Sequence, residues 1–192
     1  MGRLLALELS RAGHAVALYD RGGPDAEHAA ARVAAAMLAP LAESAVTEPS
    51  VVRMGHYALA RWPQLLAQLE QPVFLQREGT MVVWHRQDAA EAQRFRGMLE
   101  RTQAAIPELA PLRALDRTGL AQTEPALAER FFQGYHLPGE GQLDNRQLLQ
   151  ALAATLAARG VQLHWHTERE LGELRPGSAG QPDWVIDCRG LG

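Results

Sequence analysis

Apolar residues fill the start of the chain in two runs of different length. Gly2 to Ala12 is rich in leucine and alanine, as in a helix that packs against a sheet, and Gly13 stands where helices commonly end. Val16–Tyr19 is a short, continuously apolar run that is typical of a buried parallel strand, and it ends on Asp20. The pattern predicts a helix, a tight turn and a strand that closes on an acidic residue.

The rest of the chain alternates between helical and extended patterns. The predicted helices are Ser50–Glu70, Ala89–Ile106, a short one that stops near Pro125, and one N-capped near Asp144 and closed by Gly160. The predicted strands are Thr80–Trp84, Phe131–His136, Val161–Trp165 and Trp184–Cys188. Residues 29–42, rich in alanine and ending near Pro40, are expected to form a loop or short helix. This order favours an α/β fold with a parallel sheet and a second, α+β region.

The first helix and strand match the second half of a dinucleotide-binding fingerprint. In that fingerprint the third glycine permits close packing of the helix against the strand, and an acidic residue ~20 positions on binds the ribose hydroxyls. Gly2 and Asp20 fit these two places, and the acid favours FAD or NAD over NADP. The first strand and first two glycines of the motif do not precede Met1, so we expect an incomplete domain. An ordinary βα unit in which Asp20 caps a turn is the alternative.

Composition narrows the class of protein. The 192 residues are 47% apolar and carry 19 basic and 22 acidic side chains, a balance that gives no reason to expect a nucleic-acid or membrane partner. The one cysteine, Cys188, rules out a disulfide framework, and the N-terminus has no secretory pattern. We therefore expect a cytoplasmic protein. Cys188 itself is predicted to be a small buried side chain rather than a nucleophile.

Three segments carry a resemblance to a known family. AAAMLAP at Ala34–Pro40, GEGQLDNRQLLQAL at Gly139–Leu152 and DWVIDCRGLG at Asp183–Gly192 follow the initial motif in family order. The chain resembles the glycine oxidases of the D-amino-acid oxidase superfamily, over about the first half of the family's length. The resemblance implies a Rossmann-type FAD-binding domain with an inserted α+β substrate domain, both incomplete. The implied domains are 1–70 and 138–192 for FAD binding and 71–137 for part of the substrate domain.

The resemblance also implies roles for individual residues. Asp20 and Arg21 would hold the ribose and neighbouring groups, and Met37 would face both flavin and substrate. Ala36 stands where the family usually has glycine, and Arg169 falls at a backbone contact to adenine where the family usually has valine. The full set of implied cofactor-binding residues is Gly2, Asp20, Arg21, Ala35, Ala36, Met37, Arg169, Gly190 and Gly192.

The activity implied by the resemblance is oxidation of glycine or another small amino acid to an imine, with FAD as cofactor. Oxygen would be reduced to hydrogen peroxide, and the family analogy adds a role in thiamine thiazole synthesis. Sarcosine oxidase-like, D-amino-acid dehydrogenase-like and tRNA-modifying flavoproteins stay open, as do a nicotinamide dehydrogenase and an inert part of a cofactor site. The resemblance assigns no catalytic residue to this chain, because the family's carboxylate-binding arginine lies in its second half. It leaves homo-oligomerisation open.

His164 and His166 form a further candidate site. Alternation along a strand would place both imidazoles on the same face, as in a pair of metal ligands. No third ligand is evident, and we expect a solvent-facing strand end and no metal.

Overall fold

The computed structural model describes residues 1–170 and 172–190, and the chain divides into two compact units. The first unit comprises Met1–Ala35, Leu66–Val73 and Asp144–Gly192, and the second comprises Ala36–Leu65 and Phe74–Leu143. Residues 36–65 thus group with the second unit, whereas the sequence prediction placed them with 1–70. The cofactor and substrate roles of the domains stay predictions.

Helices and short strands alternate along the chain. The helices are α1 Gly2–Arg11, α2 Ala30–Val33, α3 Pro49–Leu66, α4 Ala89–Ala105, α5 Arg117–Thr123, α6 Pro125–Ala128 and α7 Asn145–Ala158. The strands are β1 Ala17–Tyr19, β2 Met37–Leu38, β3 Leu75–Gln76, β4 Thr80–Val83, β5 Arg113–Asp116, β6 Gln133–Leu137, β7 Gly141–Leu143 and β8 Gln162–His164. Two 3-10 turns lie at Ala42–Ala45 and Arg86–Asp88.

The first unit is built on a parallel strand pair. β1 pairs with β8, with Leu18 opposite Leu163 and Tyr19 opposite His164. Helices α1 and α7 pack against each other, and they bury Leu7, Leu152 and Leu156 to 2% exposure or less. The predicted helix, turn, strand and parallel pairing are confirmed here. The strand is less buried than predicted, because Ala17 is exposed and Leu18 and Tyr19 are half-buried.

Helix α7 begins and ends where the sequence predicts. The carboxylate of Asp144 accepts hydrogen bonds from the backbone N–H groups of Arg146 and Gln147, both at 2.9 Å, so it is a true N-cap. At the other end Gly160 has a φ of +76°, which a glycine adopts without strain. The helix is therefore bounded by local chemistry at both ends.

The second unit contains two antiparallel sheets. Their strand orders are β2-β7-β3 and β4-β6-β5, and β6 and β7 are consecutive in the chain. The strand predicted at Phe131–His136 is confirmed as β6, which begins two residues later than predicted. The helix predicted at Ala89–Ile106 is confirmed as α4. The core of this unit consists of Leu41, Val52, Ala92, Leu99, Ile106, Leu109, Tyr135 and Leu137.

The predicted buried strand Trp184–Cys188 is wrong. This segment has no strand structure, and Trp184 is 83% exposed while Ile186 is 53% exposed. The described residues give the sheet of the first unit two strands, β1 and β8, so the segment lacks a hydrogen-bonding partner in a ladder. An apolar run predicts the capacity to form a strand, and a neighbouring strand decides whether it forms. Cys188 is accordingly half-buried and outside any strand.

Across residues 1–170 and 172–190 we find no helix long and apolar enough to cross a membrane.

Candidate functional site

Asp20 follows β1 directly, at the carboxyl end of the parallel pair. Its backbone N–H donates to His164 O at 3.1 Å, and its carbonyl accepts from Thr167 N at 2.9 Å. Its carboxylate accepts a hydrogen bond from Gly22 N at 2.9 Å through Oδ1, and the side chain is 34% exposed. The acid is thus fixed in place and still partly open, at the edge where parallel sheets bind ligands.

The loop after Asp20 is tightly packed. Gly22 and Gly23 are buried, and Gly23 N donates to Glu27 Oε1 at 3.0 Å. Hydrogen bonds from the backbone N–H groups of Glu27 and Gly23 lower the pKa of the Glu27 carboxyl. A Cβ added at Gly23 would lie 3.1 Å from the imidazole of His166, so glycine permits this close approach.

Gly2 begins α1, as predicted. Met1 precedes it as N-cap without a side-chain capping bond, and the first turn contains no acidic residue, so an anion is electrostatically compatible with this helix start. A Cβ added at Gly2 would lie 3.4 Å from Cys188 Cβ. This is an ordinary van der Waals distance, so the start of the helix lies in contact with Cys188.

The remaining predicted residues of the first unit lie at its surface. Arg21, Ala35, Arg169 and Gly190 are exposed, and Gly190 has a φ of +79°. The Arg169 guanidinium forms an ion pair with Glu173 at 3.1 Å, and the hydrogen bond from this partner raises the pKa of Arg169. Gly192 lies outside the described residues. The roles of these residues in cofactor binding stay predictions.

An aromatic stack connects Arg169 to the end of β1. The guanidinium lies 4.8 Å above the ring of Tyr19, and Tyr19 stacks on His164 at 4.4 Å with an interplanar angle of 8°. His164 is the last residue of β8, whereas His166 lies beyond the strand with a φ of +53°. The two imidazoles therefore do not share a strand face as predicted. Among the described residues no three His, Cys, Asp or Glu side chains gather as metal ligands.

Ala36 and Met37 belong to the second unit. Ala36 has a φ of +57°, in the left-handed region that favours glycine, and its carbonyl accepts from Leu143 N at 3.3 Å. Met37 begins β2, pairs with Gln142 and is 46% exposed. With Pro40, Val51 and Trp62 among others, it lines an apolar groove of about 150 Å³.

Two polar residues that the sequence prediction passed over hold the backbone on either side of Ala36 and Met37. In the first unit, the amide nitrogen of Asn145 donates to the carbonyls of Ala31 and Ala34, the latter at 2.7 Å. In the second unit, Glu140 is 1% exposed and its Oε1 accepts a hydrogen bond from Ala42 N at 2.7 Å. Burial raises the pKa of the Glu140 carboxyl.

Arg3 is a third residue that sequence reasoning missed. It lies in the first turn of α1 and is 6% exposed, with its Nη2 atom 3.7 Å from Asp20 Oδ2. A buried charge must be paired, and the apolar pattern of α1 does not distinguish Arg3 from Glu8 and Arg11 of the same helix.

Comparison with known proteins supports the predicted class. A family model described as FAD dependent oxidoreductase matches residues 1–192. A protein of Rhizobium etli, named putative thiamine biosynthesis oxidoreductase ThiO, is 34% identical over 189 residues, covering 98% of this chain and 51% of that protein. The chain thus spans about half the length of the curated relative it matches.

This chain also matches a little under half the length of similar proteins with solved structures. Glycine oxidase from Geobacillus kaustophilus matches with a TM-score of 0.72 and 26% identity, over 87% of this chain and 44% of that one. Iminodiacetate oxidase from Chelativorans sp. BNC1 matches with a TM-score of 0.68 and 22% identity, over 84% and 43%. Glycine oxidase from Bacillus cereus matches with a TM-score of 0.70 and 19% identity, over 86% and 43%. The predicted α/β fold is confirmed by these likenesses, of which the last two show the fold alone.

Proposed function

Because the chain belongs to the family of FAD-dependent oxidoreductases, we propose that it forms part of the FAD site of an amine oxidoreductase acting on small amino acids. The observation that carries the proposal is Asp20, a partly exposed carboxylate held at the carboxyl end of β1. The family match over residues 1–192 and the 26% identity to a glycine oxidase structure support it.

The residues present fit the cofactor that the family implies. A carboxylate with free lone pairs accepts hydrogen bonds from ribose hydroxyls, and Asp20 is 34% exposed on its open side. The start of α1 at Gly2 carries no acidic residue that would repel a pyrophosphate. Ala36 and Met37 present a methyl group and an apolar, half-exposed thioether, which suit contact with a flat aromatic ring.

Each of these residues has a distinct role in the proposal. Asp20 orients the adenosine ribose, and the first turn of α1 places backbone N–H groups for an anion. Ala36 and Met37 contact the flavin, and Met37 also excludes water on the substrate side. Cofactor contacts of Arg21, Ala35, Arg169 and Gly190 are part of the same proposal.

The reaction that we propose is the oxidation of glycine or a similar amino acid to its imine. FAD, when bound, would supply a two-electron acceptor for the hydride from the substrate α-carbon while the amine nitrogen gives up a proton; oxygen would take the two electrons and two protons to give hydrogen peroxide. The name of the Rhizobium etli relative supports a place in thiamine biosynthesis. We assign no catalytic residue to this chain. A cytoplasmic location belongs to the proposal as well.

The test begins with the whole protein and its flavin. We expect a yellow protein with one FAD per chain, and peroxide release on addition of glycine. Sarcosine and iminodiacetate serve as competing substrates, because an iminodiacetate oxidase shares the fold. Reduction of an artificial dye without peroxide would instead identify a dehydrogenase. A protein that binds no FAD would contradict the proposal and favour an inert module.

A matched pair of variants tests the role of Asp20. Asp20→Ala removes the ribose-binding carboxylate and should weaken FAD binding at least tenfold, about 1.4 kcal/mol. Asp25→Ala removes an exposed acid from the same loop and should leave the affinity unchanged. Equal affinities for the two variants would show that Asp20 does not contact the cofactor.

A further inference from the structure

Arg3 is a charged side chain enclosed by neutral groups in the first unit. Its Nη1 donates to the carbonyls of Pro24 at 2.7 Å and Leu149 at 2.8 Å, and its Nη2 donates to Gly23 O at 3.1 Å. The guanidinium also lies 4.7 Å above the ring of Trp165. Arg3 therefore joins α1, the loop after β1, α7 and the residue after β8.

Asp20 is the closest anion to this buried charge. Burial lowers the pKa of Arg3, and the charge of Asp20 opposes that change, so the guanidinium stays protonated near neutrality. The 3.7 Å between Arg3 Nη2 and Asp20 Oδ2 is within ion-pair range. A buried arginine surrounded by carbonyls alone would lack charge compensation, and the Asp20 carboxylate supplies it.

The two oxygens of Asp20 thus face two different partners. Oδ1 accepts from Gly22 N at 2.9 Å, and Oδ2 faces Arg3. With Oδ1 hydrogen-bonded and Oδ2 within ion-pair range of Arg3, the carboxylate has one preferred orientation. The lone pairs on the exposed side then point in a defined direction.

We propose that Arg3 is a positioning residue for the cofactor ribose, because it fixes the Asp20 carboxylate in the orientation that accepts from both ribose hydroxyls. The proposal rests on the proposed function, since it requires an FAD bound through Asp20. Arg3 touches no ribose atom itself. It acts through Asp20 and through the loop carbonyls of Gly23 and Pro24, which its hydrogen bonds hold in place.

A purely architectural role for Arg3 would give a different result. An architectural arginine stabilises the fold, and its loss weakens every ligand to the same extent. A positioning arginine changes how well the site distinguishes a ribose that has both hydroxyls from one that lacks the 2′-hydroxyl. The decisive quantity is the ratio of dissociation constants for FAD and its 2′-deoxyadenosine analogue.

The experiment measures this ratio by flavin fluorescence in the whole apoprotein. We expect the wild type to prefer FAD over the deoxy analogue about tenfold, because the deoxy analogue lacks one of the hydroxyl donors that the Asp20 carboxylate accepts. Arg3→Met should bring the ratio close to one. Arg11→Met is the control, since it removes an exposed arginine of α1 that pairs with Glu8 at 3.1 Å. It should keep the wild-type ratio.

Arg3→Lys keeps the experiment decisive if Arg3→Met does not fold. A lysine retains the charge but cannot donate to three carbonyls and stack on Trp165 in the same way, so an intermediate ratio is expected. Both dissociation constants are measured on the same protein preparation. An unfolded fraction therefore affects both equally and does not change their ratio. Wild-type ratios in Arg3→Met or Arg3→Lys would overturn the inference. A wild type that does not bind FAD would instead contradict the proposed function.

A double variant separates action through Asp20 from other effects. If Arg3 acts through Asp20, Arg3→Met should weaken FAD binding about tenfold in the wild type and by less than twofold in an Asp20→Asn background. An undiminished effect in that background would contradict the positioning role.

Discussion

The carboxylate of Glu140 accepts a hydrogen bond from the backbone N–H of Ala42 at 2.7 Å, across 98 positions of sequence. The acceptor stands just before β7, and the donor follows β2 by a few residues. Because β2 and β7 are also paired in a ladder, the side chain reinforces the placement of the segment that contains Met37.

This buried acid predicts a pH-dependent stability difference. Its folded pKa is raised, so the folded state keeps a proton that the unfolded state releases above about 4.5, and stability falls as pH rises from there toward the folded pKa. Glu140→Gln cannot ionise and keeps an oxygen for Ala42 N. Its free energy of unfolding should match the wild type near pH 4 and exceed it at pH 7, where burial penalises the ionised wild-type carboxylate.

Urea denaturation at several pH values checks this prediction. Glu108→Gln, at an exposed glutamate, should show no such trend. Glu140→Ala, which removes the acceptor altogether, should lose about 2 kcal/mol near pH 4. The loss should be smaller at pH 7, because the wild-type stability has fallen there and that of the variant has not. A Glu140→Gln difference that is constant across the pH range would contradict the explanation.

Gly141 lies where the chain leaves no room for a side chain. A Cβ built at this position overlaps the backbone carbonyl oxygen of Gln76 in the neighbouring strand β3. Gly141→Ala should therefore lower the free energy of unfolding by about 3 kcal/mol, because two strands must separate to admit it. Gly97→Ala is the matched control. Its nearest neighbour would be Arg101 Nη1 at 3.7 Å, and alanine should stabilise α4 by about 0.5–1 kcal/mol. Thermal melts of the two variants should shift in opposite directions.

Ala36 carries backbone strain that glycine would relieve. A non-glycine residue at a φ of +57° destabilises the folded state by about 1–2 kcal/mol. Replacement by glycine removes this strain, but it also raises the conformational entropy of the unfolded chain, which offsets part of the gain in stability. We expect Ala36→Gly to be up to about 1 kcal/mol more stable than the wild type. At Ala34, where φ is −64°, the same change should destabilise. Destabilisation by both variants in chemical denaturation would show that Ala36 is not strained.

The side chain of Thr155 forms a hydrogen bond that connects the segment 66–73 to α7. The side chain is 2% exposed, and its hydroxyl donates to Ala151 O at 2.7 Å while accepting from Glu70 N at 3.0 Å. Thr155→Val keeps the shape but removes the acceptor, and should cost about 1–2 kcal/mol. Thr123→Val, at an exposed threonine that bonds its own helix, should change stability by less than about 0.5 kcal/mol. Amide exchange at Glu70 should also become faster in Thr155→Val alone.

Local chemistry made much of the fold predictable. The limits of α1 and α7, the parallel strand β1 and the N-cap Asp144 follow from apolar period, glycine and a capping acid, which act within a few residues. Strands β3 and β7 were missed because LQ and GQL contain one apolar residue each and so form no apolar run. The strand predicted at Trp184–Cys188 failed for the complementary reason, since a ladder requires a neighbour that sequence does not show.

For the candidate site, the sequence by itself determined which residues carry the chemistry. Asp20 after an apolar strand, Gly2 before an apolar helix and Met37 in its alanine-rich segment are readable from order and spacing. Only the tertiary structure decided how they are held. Arg3 pairs with Asp20, and Glu140 accepts a hydrogen bond from Ala42, through contacts between segments that are far apart in the sequence. These contacts bury the side chains of Arg3 and Glu140, which the sequence alone would place at the surface. The physical reason is that periodicity encodes which face is buried, whereas the pairing of buried polar groups depends on which segments meet.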